Sequence, residues 1–164
     1  MSDMIGKTDS NVNIGILAEQ REKIAEALSH LLADSYMLYL KTHNYHWNVT
    51  GMNFQPLHEL FEGQYTELAE AIDVIAEQIR ILGHFAPGSF KAYSKITSIV
   101  EEEDVPDAKT MLKRLQEANE AVVRTAQKVL PLCDEAGDEA SMDVAIERIS
   151  VHSKVAWMLR SHLQ

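Results

Sequence analysis

At 164 residues with 46% hydrophobic content, the chain has the length of one domain and enough apolar side chains for one packed core. A formal net charge of −10 excludes a general nucleic-acid-binding surface, which needs clustered Lys and Arg, and suits a protein that draws in cations. The single cysteine, Cys133, excludes an internal disulfide, no apolar run nears the roughly 18 residues of a membrane span, and the N-terminus lacks a signal-peptide core, so the cytoplasm is the expected location.

Residues 1–16 read as a flexible N-terminal tail: MSDMIGKTDSNVNI is polar, shows no period and carries Lys7 alone as a basic residue. From about Leu17 to Trp47, Ile24, Leu28, Leu31, Leu32, Leu38 and Tyr39 recur mainly at three- and four-residue intervals, the pattern of an amphipathic helix. Val49, Thr50 and Gly51 interrupt it. A second helix starts near Asn53 or Phe54 and tolerates Pro56 in its first turn. Leu57, Leu60, Phe61, Leu68, Ile72, Ile75, Ile79 and Leu82 form its apolar side, and Gly83 ends it.

HFAPGSF turns the chain, and FKAYSKITSIV, residues 90–100, predicts a short helix inside a long connection. EEEDVP closes that connection, and its acid run reads as solvated. Asp107 caps a third helix through Leu112, Leu115, Ala118, Val122 and Val129, with Pro131 bending or weakening its last turn. Cys133, near that helix end, reads as packed or idle. Gly137 and Asp138 mark the start of a fourth helix carrying Met142, Ala145, Ile149, Val155, Leu159 and Leu163. No strand pattern competes. The expectation is an all-α domain over residues 17–164, a four-helix bundle of the ferritin-like type with a short extra helix in the long second-to-third crossover.

The chemistry concentrates in residues 43–83. On the second helix His58 and Glu62 stand four residues apart, as do Asp73 and Glu77, so each pair shares a helix face. His46 adds an imidazole just upstream, and imidazole with several carboxylates suits iron, zinc or manganese. Eleven residues separate Glu62 from Asp73. At ~1.5 Å per residue that is roughly 16 Å, too far for one metal within one chain. The four positions are, however, symmetric about the midpoint between residues 67 and 68. A second copy of the helix, antiparallel about a twofold axis there, sets Asp73 of one chain beside Glu62 of the other, and Glu77 beside His58. The expected site is therefore split, with His46, His58 and Glu62 from one subunit and Asp73 and Glu77 from its mate.

Asp73 interrupts the apolar run AIDVIA, where a carboxylate is costly unless paired or liganded, and Ala69 and Ala71 are small enough for close helix approach. The bland alternative is a set of solvated acids and locally satisfied histidines. No histidine has a Glu three residues before it, which removes the ordinary Glu-x-x-His di-iron pattern. His43 is placed to support His46, whereas His30, His84, His152 and His162 read as ordinary histidines that need no metal. Trp47 beside His46 is the candidate for taking up a stray oxidising equivalent, with Tyr65 a weaker one; ordinary packing explains both as well. Asp134, Glu135, Asp138, Glu139, Asp143 and Glu147 form an acidic corner between the third and fourth helices, either a solvated bend or a cation-drawing ring about a symmetry axis.

The motif H-x-x-H-W-N-V-x-G-x-x-F-x-x-L-H-x-x-F, followed by Y-x-x-L and D-x-x-A-E, resembles the Dps family of miniferritins (DNA-binding protein from starved cells). Here it comprises His43, His46 to Val49, Gly51, Phe54, Leu57, His58, Phe61, Tyr65, Leu68, Asp73, Ala76 and Glu77, and the similarity runs from about Leu17 to Leu163. The resemblance implies a homododecameric hollow shell that oxidises Fe2+, preferentially with hydrogen peroxide, and stores ferric oxide. It implies ferroxidase ligands at dimer interfaces, falling on His46, His58, Glu62, Asp73 and Glu77, and acid-lined threefold pores assigned to Asp138, Asp143 and Glu147. Glu62 stands where many members carry Asp, and Gln78 replaces a frequent Arg.

Two rival classes remain at this level: a nucleoid-packing DNA-binding protein with incidental oxidation, and an acidic helical adaptor without metal. Assembly size separates the adaptor from a cage. DNA-binding members usually carry several Lys or Arg on a mobile terminus, and affinity for phosphate scales with such contacts. With Lys7 alone in the tail, direct DNA binding is weak or absent, even if the protein resides near the nucleoid. In a gel-shift assay at physiological salt the protein is expected to leave duplex DNA unretarded; tight retardation there contradicts this reading.

Overall fold

The computed structural model describes residues 11–164, in which six helices and no strands occur; the expected tail lies outside the described residues as far as residue 10. The helices are α1 (Ala18–Asn48), α2 (Phe54–Ile81), α3 (Phe90–Tyr93), α4 (Ala108–Gln127), α5 (Leu130–Ala136) and α6 (Glu139–Ser161). The four long ones form an all-α bundle in which α1 packs on α2 and α4 packs on α6.

Each boundary has a local cause. Helix α1 seats Ile24, Leu28, Leu31, Leu32 and Leu38 in the core, and gives way at Gly51, whose φ of +109° is costly for any residue with a Cβ. Helix α2 ends on Gly83 at φ +91°. There the Gly83 N–H donates to Arg80 O at 2.9 Å and the His84 N–H to Ile79 O at 3.2 Å, the paired bonds of a Schellman cap. The Arg21 guanidinium donates to Leu82 O at 2.8 Å and so ties the start of α1 to the end of α2.

The crossover from Leu82 to Asp107 is anchored by a buried acid, Asp34 on α1. One carboxylate oxygen accepts from Thr97 Oγ1 at 2.8 Å and the Ser98 N–H at 2.5 Å. The other accepts from Ser98 Oγ at 2.6 Å and Thr125 Oγ1 at 2.7 Å. One side chain thereby links α1, the crossover and α4. Ahead of it, α3 is only four residues long, capped by Ser89 and held by Tyr93 stacking on Tyr36 with ring centroids 5.1 Å apart. The acid run near the end of the crossover is exposed at Glu101, Glu103 and Asp104, as expected, and departs from expectation in its ion pairs and in the partly buried Glu102. Glu102 pairs with Lys41, and Arg114 binds Asp104 at 2.8 Å and Glu102 at 3.5 Å, because α1 and α4 present cations directly beneath the loop.

Asp107 caps α4 through the Thr110 N–H at 2.7 Å, as expected. Beyond α4 the chain differs. Rather than weakening the end of the third helix, Pro131 lies in the first turn of a separate helix, α5, where its missing N–H leaves nothing unpaired. Gly137 at φ +66° stops α5, and Asp138 caps α6 through the Ser141 N–H at 3.0 Å. Gln78, in the place of the frequent Arg, donates to Ser141 Oγ at 3.0 Å and bridges α2 to α6. Cys133 is fully buried, as expected of a packed thiol.

At the bundle centre His152 of α6 meets Asn119 of α4, Nδ1 to Oδ1 at 2.7 Å. Burial, reinforced by the Arg148 cation, pushes the His152 pKa down to about 3 from 6.5. Across that interval the unfolded chain binds a proton that the folded chain refuses. The folded-state advantage is therefore complete above pH about 6.5 and is lost as the pH falls towards about 3.

Both buried groups can be tested by denaturation. Asp34→Ala strands several buried donors and should lower stability by about 3 kcal/mol, read from urea denaturation; a loss below about 1 kcal/mol removes Asp34 from its anchoring role. His152→Phe should flatten the decline of the urea midpoint between roughly pH 6 and pH 4, and an acid slope equal to that of the unmodified chain counts against a neutral buried imidazole.

Candidate metal centre

The α1–α2 link is short, so the last turn of α1 lies against the first turns of α2. His46 and His58 meet there with ring centroids 3.7 Å apart and planes inclined by 21°. Their hydrogen bonds are reciprocal: His46 Nδ1 lies 2.9 Å from His58 O, and His58 Nδ1 lies 2.8 Å from His46 O. A carbonyl only accepts, so both Nδ1 atoms carry the proton and both Nε2 atoms keep a free lone pair. The His46 carbonyl is one of those left without a helical partner at a C-terminus. A ligating histidine is characteristically held this way, with its second nitrogen donating to a carbonyl that fixes tautomer and ring orientation.

An aromatic cluster surrounds the pair. His43 stacks on Tyr65 at 4.2 Å and contacts Trp47 at 4.1 Å, while His46 meets the edge of Tyr65 at 5.1 Å. Phe54 lies 5.2 Å from His58. His46 is only 8% exposed, whereas Trp47 is 59% exposed and open to solvent. His43 thus touches Tyr65 and Trp47, and its ring lies 6.2 Å from that of His46. Spacing alone could not reveal the carbonyl partners, although the i, i+3 relation of His43 to His46 put their rings on one side of α1.

The acids do not close a site with the histidines within one chain. Glu62, Asp73 and Glu77 are all exposed on α2, an unbroken helix from Phe54 to Ile81, so the symmetric spacing is preserved in the fold. Among the described residues no three His, Cys, Asp or Glu side chains converge to hold a metal ion within one chain. The expected cost of burying Asp73 does not arise in a single chain, because its carboxylate faces outward. Ala69 also faces outward, but Ala71 is buried in its own core and cannot serve a helix–helix approach.

The acidic corner divides likewise. Asp143 and Glu147 are exposed one turn apart on α6, and Glu147 approaches the Arg148 guanidinium at 3.7 Å. Asp138 is only 4% exposed and engaged as the α6 cap, so it presents no open carboxylate at this surface.

Comparison with known proteins agrees with this geometry. A model of the ferritin-like domain matches residues 25–164. The chain is 37% identical over 155 residues to a low-temperature-induced protein of Nostoc sp., covering 93% of this chain and 87% of the relative. It is 32% identical over 148 residues to the DNA protection during starvation protein of Porphyromonas gingivalis, covering 90% and 93%. The crystal structure of Dps from Vibrio cholerae O1, described as a member of a broad superfamily of ferritin-like diiron-carboxylate proteins, aligns with a TM-score of 0.90 at 33% identity, over 96% of this chain and 100% of that one. An all-helical bundle with a crossover helix, a histidine pair at the α1–α2 turn and these relatives together place the chain in the ferritin-like superfamily and, within it, in the Dps family.

Proposed function

We propose that the chain is a Dps-type ferroxidase and iron-storage subunit whose catalytic sites are completed by a second copy of itself. The observation that carries this reading is the His46–His58 pair, with both Nδ1 protons committed to carbonyls and both Nε2 lone pairs free. In the proposed dimer two α2 helices lie antiparallel about a twofold axis. His46, His58 and Glu62 of one subunit then face Asp73 and Glu77 of the other. Exposed side chains on α2 support the same register. Phe54 and Ile81 are 45% and 54% exposed, and their positions mirror each other about the same midpoint, so each meets the other across the axis. Thr66 and Ala69, small and exposed, fall at the crossing point.

Iron is substrate and cargo here. Two Fe2+ ions held between imidazoles and carboxylates each give one electron to hydrogen peroxide. The O–O bond breaks, two protons complete two waters, and no hydroxyl radical is released. Trp47 and Tyr65, packed around His43, stand ready to take up a stray oxidising equivalent. The ferric product hydrolyses and is stored inside a shell of twelve subunits, with exposed Asp143 and Glu147 the acids that draw cations inward.

A complementation experiment tests the chemistry and the split site together. His46→Ala/His58→Ala and Asp73→Ala/Glu77→Ala chains should each assemble normally and oxidise Fe2+ with peroxide roughly tenfold or more slowly. Co-assembled at equal amounts, they should regain about a quarter of the full rate, since half the dimers are mixed and each mixed dimer holds one intact site. Unchanged rates in the first variant move the oxidation elsewhere. Loss in both without recovery on mixing places the whole site within one subunit.

A further inference from the structure

Two buried hydrogen-bond acceptors without donors face the cleft between α2 and α6. These two helices meet sparsely, while α1–α2 and α4–α6 pack closely, and a cavity of about 340 Å3 opens between them. Leu38, Leu60, Leu68, Val155 and Met158 give it hydrocarbon walls, and Gly63 leaves its rim without a side chain. His152, 2% exposed, lies in its lining. The Asn119 amide N–H is committed to Leu115 O at 2.7 Å, so Asn119 Oδ1 is the atom that faces the imidazole, and it can only accept. His152 Nδ1 must therefore carry the ring proton. Nε2 is left as a buried lone pair with no partner among the described residues, and Gln64 Oε1, on the same lining, is a second buried acceptor with none among them.

Water fills this space poorly. The volume is roughly ten times the ~30 Å3 share of one water, and hydrocarbon walls give most such waters nothing to bond. An apolar body that displaces loosely held water gains affinity, whereas a buried acceptor left empty costs the folded protein. A cation does not suit the His152 end of the site, because the Arg148 guanidinium stands close enough to oppose positive charge on the imidazole; of the charged side chains in the lining, Glu67 is paired with Arg148 at 2.8 Å and Lys154 is itself a cation. A cavity of ~150 Å3 holds one benzene ring, so this one admits a larger body.

We propose that the α2–α6 cleft is a binding site for a small neutral aromatic molecule, about the size of a fused bicyclic ring, that donates an N–H or O–H to His152 Nε2 or Gln64 Oε1. The site has the volume, apolar walls and few convergent polar groups of small-molecule pockets. It lies on different side chains from the proposed metal ligands, with Gly63 and Gln64 adjoining Glu62 along α2.

Indole and N-methylindole separate the donor from the ring. On the assembled full-length protein, calorimetric titration should give saturable binding of indole in the millimolar range or tighter, with N-methylindole about tenfold weaker. His152→Phe should bring indole down towards the level of N-methylindole. Gly63→Leu fills the rim at a position where an added Cβ meets nothing within 4 Å in the single chain, and should weaken both probes while the assembly keeps its size by gel filtration. No saturable binding, equal affinity for the two probes, or unchanged indole binding in both variants overturns the proposal.

Discussion

The seam between α1 and α2 sets the register on which the histidine pair depends. Tyr45 and Val49 on one side and Leu57 and Phe61 on the other are buried, so the two helices cannot slide past each other without exposing large apolar side chains. A slip of one residue turns a helical side chain by about 100° and would point either imidazole away from the other's carbonyl. The short link through Gly51 leaves little slack, and the bond from Arg21 to Leu82 O closes the far end of the same pair. The ring orientations are thus a product of core packing, secured by two local hydrogen bonds.

The two halves of the proposed site are prepared very differently. The imidazoles are fixed in position and tautomer before any ion arrives. The carboxylates of Glu62, Asp73 and Glu77 are exposed and unconstrained within one chain. In the proposed dimer the rigid half chooses the geometry and the flexible half adjusts to ion and oxidation state. Phe54 and Ile81 bracket the acids along α2 and would exclude water from the ends of the shared site, where a lower dielectric strengthens every charge interaction.

The features legible in the sequence are those that one element decides by itself. The Asp107 cap, the Gly83 stop, the helix start at Gly137 and Asp138 and the long amphipathic helices are of this kind, and they occur where spacing puts them, whereas the capping role of Asp138, read from sequence as a pore acid, appears only in the fold. The illegible ones depend on elements distant in the chain. Asp34 looks unremarkable within α1, and only the fold brings Thr97, Ser98 and Thr125 to it. Glu102 and Asp104 belong to a run that resembles a solvated loop until Lys41 and Arg114 arrive beneath it. Pro131 marks a break, but whether a break ends one helix or starts another depends on how residues 132–136 pack. His152 lacks any acid at helical spacing, and its character comes wholly from Asn119, Arg148 and the surrounding core.

The buried Cys133 bears on durability. Burial, with the Asp138 charge adding to it, pushes its thiol up to about 12, so the side chain stays in the protonated form that peroxide attacks slowly. It is also fully enclosed and is the chain's one cysteine. Sulfenic acid formation, glutathione adducts and cross-links between neighbouring molecules would each require the bundle to open first. A bundle of this construction keeps its one thiol out of reach of oxidants for as long as it stays folded.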